Sequence, residues 1–318
     1  MADHRKPPIA TGDRGELRID ASRCMRMRYS ESSCRRCAAV CPHDAVELGD
    51  ALAIKPDRCT GCLLCTAECP VGALEQVGDF YGCLGQLSRV PEPVLGCIRS
   101  KESSHATMAC LGGLSEEHLV TLCHSLSGKL TLNQTACSDC PNSTMAAHLK
   151  ARLDGLAEAG LIDCSCRIVM AESAQDLKYR DESVDRRSFF RAFRTSLFKS
   201  TAVLLSTTVE PADRRVEYAG KRLPIRRELL QWTRNSIPRE LEGRVGEHFD
   251  CGITFADSCT GCQACAAICS TGALKPGPSD TAPAFDHLLC TGCGLCGEFC
   301  LDGALQISCT QGHRRRLE

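Results

Sequence analysis

Fifteen of the cysteines in this chain fall into four short runs, with a sixteenth just upstream of the first, and no other feature restricts its fold so strongly. The chain holds 26 cysteines in 318 residues. One run reads CTGCLLCTAECPVGAL from Cys59 to Leu74, a second CTGCQACAAICSTGAL from Cys259 to Leu274, a third CTGCGLCGEFCLDGAL from Cys290 to Leu305. An earlier, weaker run, CRRCAAVCPHDAV, spans Cys34 to Val46, with Cys24 upstream. The runs come as two adjacent pairs, one toward each end of the chain, which is internal repetition at the level of a motif. A secreted disulfide scaffold would need an export signal, and MADHRKPPIATGDRGELRID has no apolar segment of that kind. No stretch is apolar enough over its length to predict a membrane span. The expected setting is therefore reducing cytoplasm, where cysteines serve as metal ligands or redox groups.

The spacing names the metal group. In C-x2-C-x2-C-x3-C-P runs three close thiolates hold one [4Fe–4S] cluster and the fourth cysteine ligates the other cluster of the pair. By that rule Cys59, Cys62 and Cys65 share a cluster with Cys41, and Cys24, Cys34 and Cys37 share one with Cys69. In the second pair Cys259, Cys262 and Cys265 join Cys300, and Cys290, Cys293 and Cys296 join Cys269. Zinc sites take two CxxC pairs or Cys/His mixtures, and nothing in them requires a third cysteine at x2 and a fourth at x3 in every run. Net charge is −1, which exerts no general pull toward nucleic acid.

On these motifs both segments resemble bacterial two-cluster ferredoxins, and the chain resembles polyferredoxin-type electron-transfer subunits of larger oxidoreductases. The resemblance covers roughly residues 20–77 and 255–308. It implies a pseudo-twofold module of two short βαβ-like halves, with a helical turn through the last cysteine of each run, and clusters near enough for electron hopping. Three departures stand out. Nine residues separate Cys24 from Cys34, so RMRYSES is expected to loop out beside its cluster and Cys24 is the least secure ligand. Ser270 and Leu301 stand where proline follows the last cysteine in the other runs.

The middle of the chain reads differently. VLGC, KLTLNQ and CRIVMA predict strands, LSEEHLVTLCHSL predicts a helix capped by Ser115, and SDCPNS opens a second helix. Cys97, Cys110, Cys137 and Cys140 form the next best ligand set, loosely similar to thioredoxin-like [2Fe–2S] ferredoxins. A fifth iron–sulfur site, a zinc site, a redox dithiol at Cys137/Cys140 and inert buried thiols all remain open there, with Cys83 and Cys123 in reserve. Cys164, Cys166, Cys251 and Cys309 have no recognisable spacing and are read as small buried hydrophobes. His43 lies inside a paired motif, where it either tunes a cluster or sits exposed in a loop. Residues 178–242 carry fifteen Lys/Arg against nine Asp/Glu, with RRSFFRAFRTSLFK and KRLPIRRELLQWTRN patterned as amphipathic helices. They predict a helical linker with a solvated basic face, or else a docking surface for an acidic partner.

The expected architecture is α+β: a flexible segment 1–20, a two-cluster module 21–82, a small α/β unit 83–177 that is thioredoxin-like, a basic helical linker 178–250, a second module 251–310 and a tail 311–318. The expected cofactors are four [4Fe–4S] clusters, with one [2Fe–2S] or zinc site in the middle. No nucleotide-binding glycine loop and no hydrolase or zincin motif is present. The leading reading is a non-catalytic subunit that relays electrons to or from a molybdenum or tungsten enzyme, a hydrogenase or a flavoprotein. The rivals are a reductase acting at the central cysteines and a cluster-sensing or assembly protein.

Overall fold

In each run the chain must turn tightly around its own sulfurs, and the computed structural model, which describes residues 16–162, 168–180 and 220–309, shows how it does so. A short helix carries the third cysteine: Arg36–Ala39 holds Cys37, Leu64–Glu68 holds Cys65, Ala264–Ile268 holds Cys265 and Leu295–Glu298 holds Cys296. The helices stop short of the last cysteine, so the helical turn expected through that residue ends before it. Three residues further on the backbone enters the left-handed region at Asp44 (φ 48°), Gly72 (63°), Gly272 (77°) and Gly303 (60°). Glycine adopts this conformation freely and aspartate tolerates it. The turn aims the next amide back at sulfur: Ala45 N–H donates to Cys41 Sγ at 3.3 Å and Ala73 N–H to Cys69 Sγ at 3.2 Å. That is the physical content of the GAL and DAV endings.

The N-terminal module contains β1 (Leu17–Ile19), β2 (Val46–Leu48), β3 (Leu52–Ile54) and β4 (Leu74–Gln76). β1 pairs antiparallel with β4, Leu17 opposite Gln76, and β2 pairs antiparallel with β3. The module therefore begins by Leu17 rather than at 21, because its first strand closes on its last. Its halves are antiparallel hairpin-type pairs, not βαβ units, which would need parallel strands joined by a longer crossover.

The central unit carries β5 (Val94–Cys97), β6 (Ala106–Met108), β7 (Leu130–Asn133) and β8 (Ile168–Ala171) in the order β6-β5-β7-β8. All three pairings are parallel. This corrects the thioredoxin-like expectation, since that fold has a mixed sheet; here the described strands form a small parallel α/β sheet. Helix Glu116–Ser125 starts where expected, with Ser115 Oγ accepting from His118 N–H. The second helix, Met145–Glu158, begins only after SDCPNS, whose residues form turns.

Helices Ile225–Arg234 and Arg239–Phe249 follow. Leu229, Leu230, Val245 and Phe249 are almost wholly buried in the core built by the central unit. The Arg-Arg pair at the start of this stretch does not form the expected solvated basic face. Arg226 and Arg227 are buried and paired within the chain, so neither is available to an acidic partner. RRSFFRAFRTSLFK, Cys164, Cys166 and the tail lie outside the described residues.

The C-terminal module repeats the first. β9 (Cys251–Phe255) pairs antiparallel with β12 (Leu305–Cys309), and β10 (Leu274–Lys275) with β11 (Ala284–Phe285). The β9–β12 register sets Cys251 opposite Cys309, and the two form a disulfide, which corrects their reading as free thiols. The two modules abut. Tyr29 meets Phe299 edge to face at 5.1 Å, Ser33 donates to Glu298, and Arg28 donates to the Ile268 carbonyl. RMRYSES is thus a contact between modules and not a loop opened to solvent.

Candidate metal centres

Buried thiols that crowd together reveal their neighbours by how they resist ionisation. Cys37 is pushed up to about 12, first by burial and then by the charges of Cys69, Cys34 and Cys24. Cys24 and Cys34 are raised the same way, each with Cys69 among the causes. Cys65 rises well above the usual thiol range through burial and then through Cys62, Cys37, Cys59 and Cys41. The structure thus brings together Cys24, Cys34, Cys37 and Cys69, and separately Cys41, Cys59, Cys62 and Cys65. Cys24 is only 7% exposed and sits within its group, despite the long interval before Cys34.

The C-terminal module shows the same two groupings. Cys293 is pushed up to about 12 by burial, then by Cys290 and Cys269, and Cys296 rises further among Cys293, Cys290 and Cys269. Cys265 is raised by burial with Cys262 and Cys300 beside it. Cys259 opens that run, and a Thr260–Asp302 hydrogen bond of 3.3 Å ties its neighbour to the segment after Cys300. Cys269 behaves differently. Burial pushes its thiol up, but hydrogen bonds from Thr271 and the 271–274 backbone outweigh it, and the net shift is downward.

The central four cysteines gather at one edge of their sheet. Cys97 ends β5, Cys110 follows β6, and Cys137 and Cys140 follow β7. β5 leads outward to β6 on one side and β7 leads outward to β8 on the other, so the switch point lies between β5 and β7. Ligands of open parallel sheets bind at the carboxyl ends of the strands at this point. Cys110 is pushed up to about 12 by burial, with Cys97, Cys62 and Cys137 also raising it. Cys137 is raised to about 11 by burial, Cys97 and Cys140. Gly112 lets this edge approach the N-terminal module, since a Cβ there would lie 2.3 Å from the Cys62 carbonyl oxygen.

The five groups follow one another in space. Cys110 neighbours Cys62, and Cys65 neighbours Cys37. The Cys24/Cys34/Cys37/Cys69 group shares a buried patch with Ile268, Leu295, Cys293 and Phe299. Arg36 acts on both groups, its charge partly opposing the upward shifts of Cys34 and of Cys293. Cys296 neighbours Cys265. Cys262 is the one exposed cysteine among those described as free.

The surroundings suit an iron–sulfur core. A cavity of about 210 Å³ is lined by Cys41, Cys59, Cys62 and Cys65, and a smaller one by Cys24, Cys34, Cys37 and Cys69. His43 Nε2 and Thr60 Oγ1, in the wall of the first cavity, are buried without a hydrogen-bond partner among the described residues. Ser270 and Thr291 hydroxyls, each next to a cysteine of the C-terminal module, are equally unpartnered. Buried polar groups are normally satisfied, and cluster sulfurs would accept from these. Four uncharged thiols in one pocket become thiolates only around a cationic core, which is how metal binding turns into folding energy. Among the described residues no three His, Cys, Asp or Glu side chains close to the spacing of a single metal ion.

Sequence reasoning missed the cations around these groups. Arg226 donates to the carbonyls of Thr66 (2.8 Å), Ala67 (3.0 Å) and Cys69 (2.6 Å). Arg227 donates to the Cys290 carbonyl at 2.8 Å, and Arg23 to that of Val71 at 2.6 Å. One short helix thus grips a cysteine of each module. Its only signal in the sequence was an Arg-Arg pair inside an amphipathic pattern.

The family comparison agrees with this geometry. Residues 32–73 and 258–304 each match the 4Fe-4S dicluster domain. Both ends of the chain are two-cluster ferredoxin modules. No curated protein and no solved structure matches the chain. The dicluster modules account for the mixed helix and strand content at both ends and leave the central sheet without a family. No described helix is long and apolar enough to cross a membrane.

Proposed function

We propose that this chain is an electron relay whose centres run in a single line through both dicluster modules. The reading rests above all on the continuous succession of cysteine groups from the central sheet to the exposed Cys262. In this line Cys97, Cys110, Cys137 and Cys140 hold the first centre. Cys41, Cys59, Cys62 and Cys65 hold the next, then Cys24, Cys34, Cys37 and Cys69. Cys269, Cys290, Cys293 and Cys296 follow, and Cys259, Cys262, Cys265 and Cys300 end it. Bound [4Fe–4S] clusters would each supply a one-electron couple, with a potential set by charge, hydrogen bonds and exposure. The chain's own residues do the rest. Arg36 places positive charge at the hop between modules, Thr60 and His43 face one cavity with donors, and the buried arginines keep the modules in register. The catalytic chemistry belongs to a protein redox partner such as a molybdenum or tungsten enzyme, a hydrogenase or a flavoprotein, with the cytoplasm as the expected setting. A dithiol reductase at the central site is disfavoured, since reactive cysteines need a lowered pKa and Cys137 shifts upward.

The order of centres is testable by EPR of the anaerobically reduced protein. Adjacent centres are expected to give signals broadened by mutual spin coupling. Cys37→Ala should abolish coupling across the module interface while the C-terminal pair stays coupled. Signals that are uncoupled in the unmodified protein would overturn the linear order.

A further inference from the structure

The disulfide between Cys251 and Cys309 lies beside one of these centres. Among the described residues every other cysteine is free. Cys251 is 2% exposed and shares a small buried group with Ala273 and Cys290, flanked by Cys269, Phe285, Leu289, Ile307 and Cys309. Two of those neighbours, Cys269 and Cys290, belong to the fourth cysteine group of the line. The Arg227 guanidinium joins the two sites from a second side. It donates to the Cys290 carbonyl at 2.8 Å and to the Phe249 carbonyl, two residues before Cys251, at 3.2 Å. Cys309 is only half-buried, at the last described position of β12.

We propose that Cys251–Cys309 is a redox-active pair that takes two electrons from the centre held by Cys269, Cys290, Cys293 and Cys296. This rests on the relay reading above. The S–S bond breaks as two electrons arrive in succession from that centre and two protons arrive from solvent. The products are two thiols, and the electrons come ultimately from the low-potential one-electron donor that loads the relay. Oxidation returns the same two electrons and two protons. The pair therefore gives a one-electron relay a two-electron store at its side. A purely structural tie is the competing role. Closing so long a loop stabilises a fold by restricting the unfolded chain, but such a tie takes up no electrons.

The test uses the anaerobic, full-length, iron-loaded protein. Iron content and EPR first establish the adjacent centre, and a protein without iron overturns both the relay reading and this proposal. The protein is then reduced with titanium(III) citrate, alkylated, digested and analysed by mass spectrometry. Labelling of Cys251 and Cys309 is expected to rise at least tenfold on reduction. It should fall back at least tenfold in Cys293→Ala, which removes the neighbouring centre. The Cys251→Ser/Cys309→Ser double variant should retain its iron and take up two fewer electrons per chain, about five instead of seven for the five one-electron centres of the relay plus the pair. With iron present, an unlabelled pair in the unmodified protein, or equal labelling in Cys293→Ala, would overturn the proposal.

Discussion

Cys62→Ala and Cys262→Ala are each expected to lose one cluster, about four of about sixteen cluster irons by the one-cluster-per-four-cysteines rule. Their wider consequences should differ. Cys62 is 8% exposed, neighbours Cys110, and presents its carbonyl to the close approach of Gly112. Losing its centre removes metal-binding energy from the N-terminal module. The same loss loosens the seam against the central sheet. Cys262 is exposed at the other end of the line. Its loss should stay local to the outer half of the C-terminal module. Iron and sulfide content read the first effect, and hydrogen exchange over residues 94–171 separates the two variants. Full iron retention in both would contradict the ligand assignment.

Arg226→Met should destabilise the folded chain by about 3–5 kcal/mol, the usual cost of leaving a buried partner charge uncompensated. Arg226 donates to three carbonyls that end helix Leu64–Glu68 and lead to Cys69. It also pairs with Glu117 at 3.3 Å, and that carboxylate is only 3% exposed. Burial alone would raise Glu117; Arg226 and Arg227 outweigh it and hold the carboxyl down to about 2. Methionine keeps much of the volume and removes every donor. Anaerobic denaturant unfolding of the loaded protein measures the loss. Arg226→Met together with Glu117→Gln should recover part of it, because the stranded charge is gone. A single variant as stable as the parent would show that the helix does not clamp the modules.

The dicluster modules were the most legible part of the sequence because each spacing encodes a local turn around sulfur. The repeated C-x2-C-x2-C-x3-C pattern points directly to the dicluster match at both ends of the chain. The GAL endings stand out in the sequence, but their cause does not: the left-handed residue that aims Ala73 N–H at Cys69. The strands VLGC and KLTLNQ are legible in the sequence, yet periodicity says nothing of strand direction, so their parallel pairing is not. Arg226 and Arg227 looked like a solvated face because pattern alone cannot show which carbonyls a guanidinium will reach. The Cys251–Cys309 bond was invisible for a related reason. It depends on the pairing of two strands 58 residues apart, and no local spacing records that.

The most direct test is metal and acid-labile sulfide quantification of anaerobically purified protein. The account predicts a brown protein with about sixteen irons and as many sulfides for four cubane clusters, or about eighteen of each if the central cysteines hold a [2Fe–2S] centre. A colourless protein that carries zinc, or no metal at all, would contradict it.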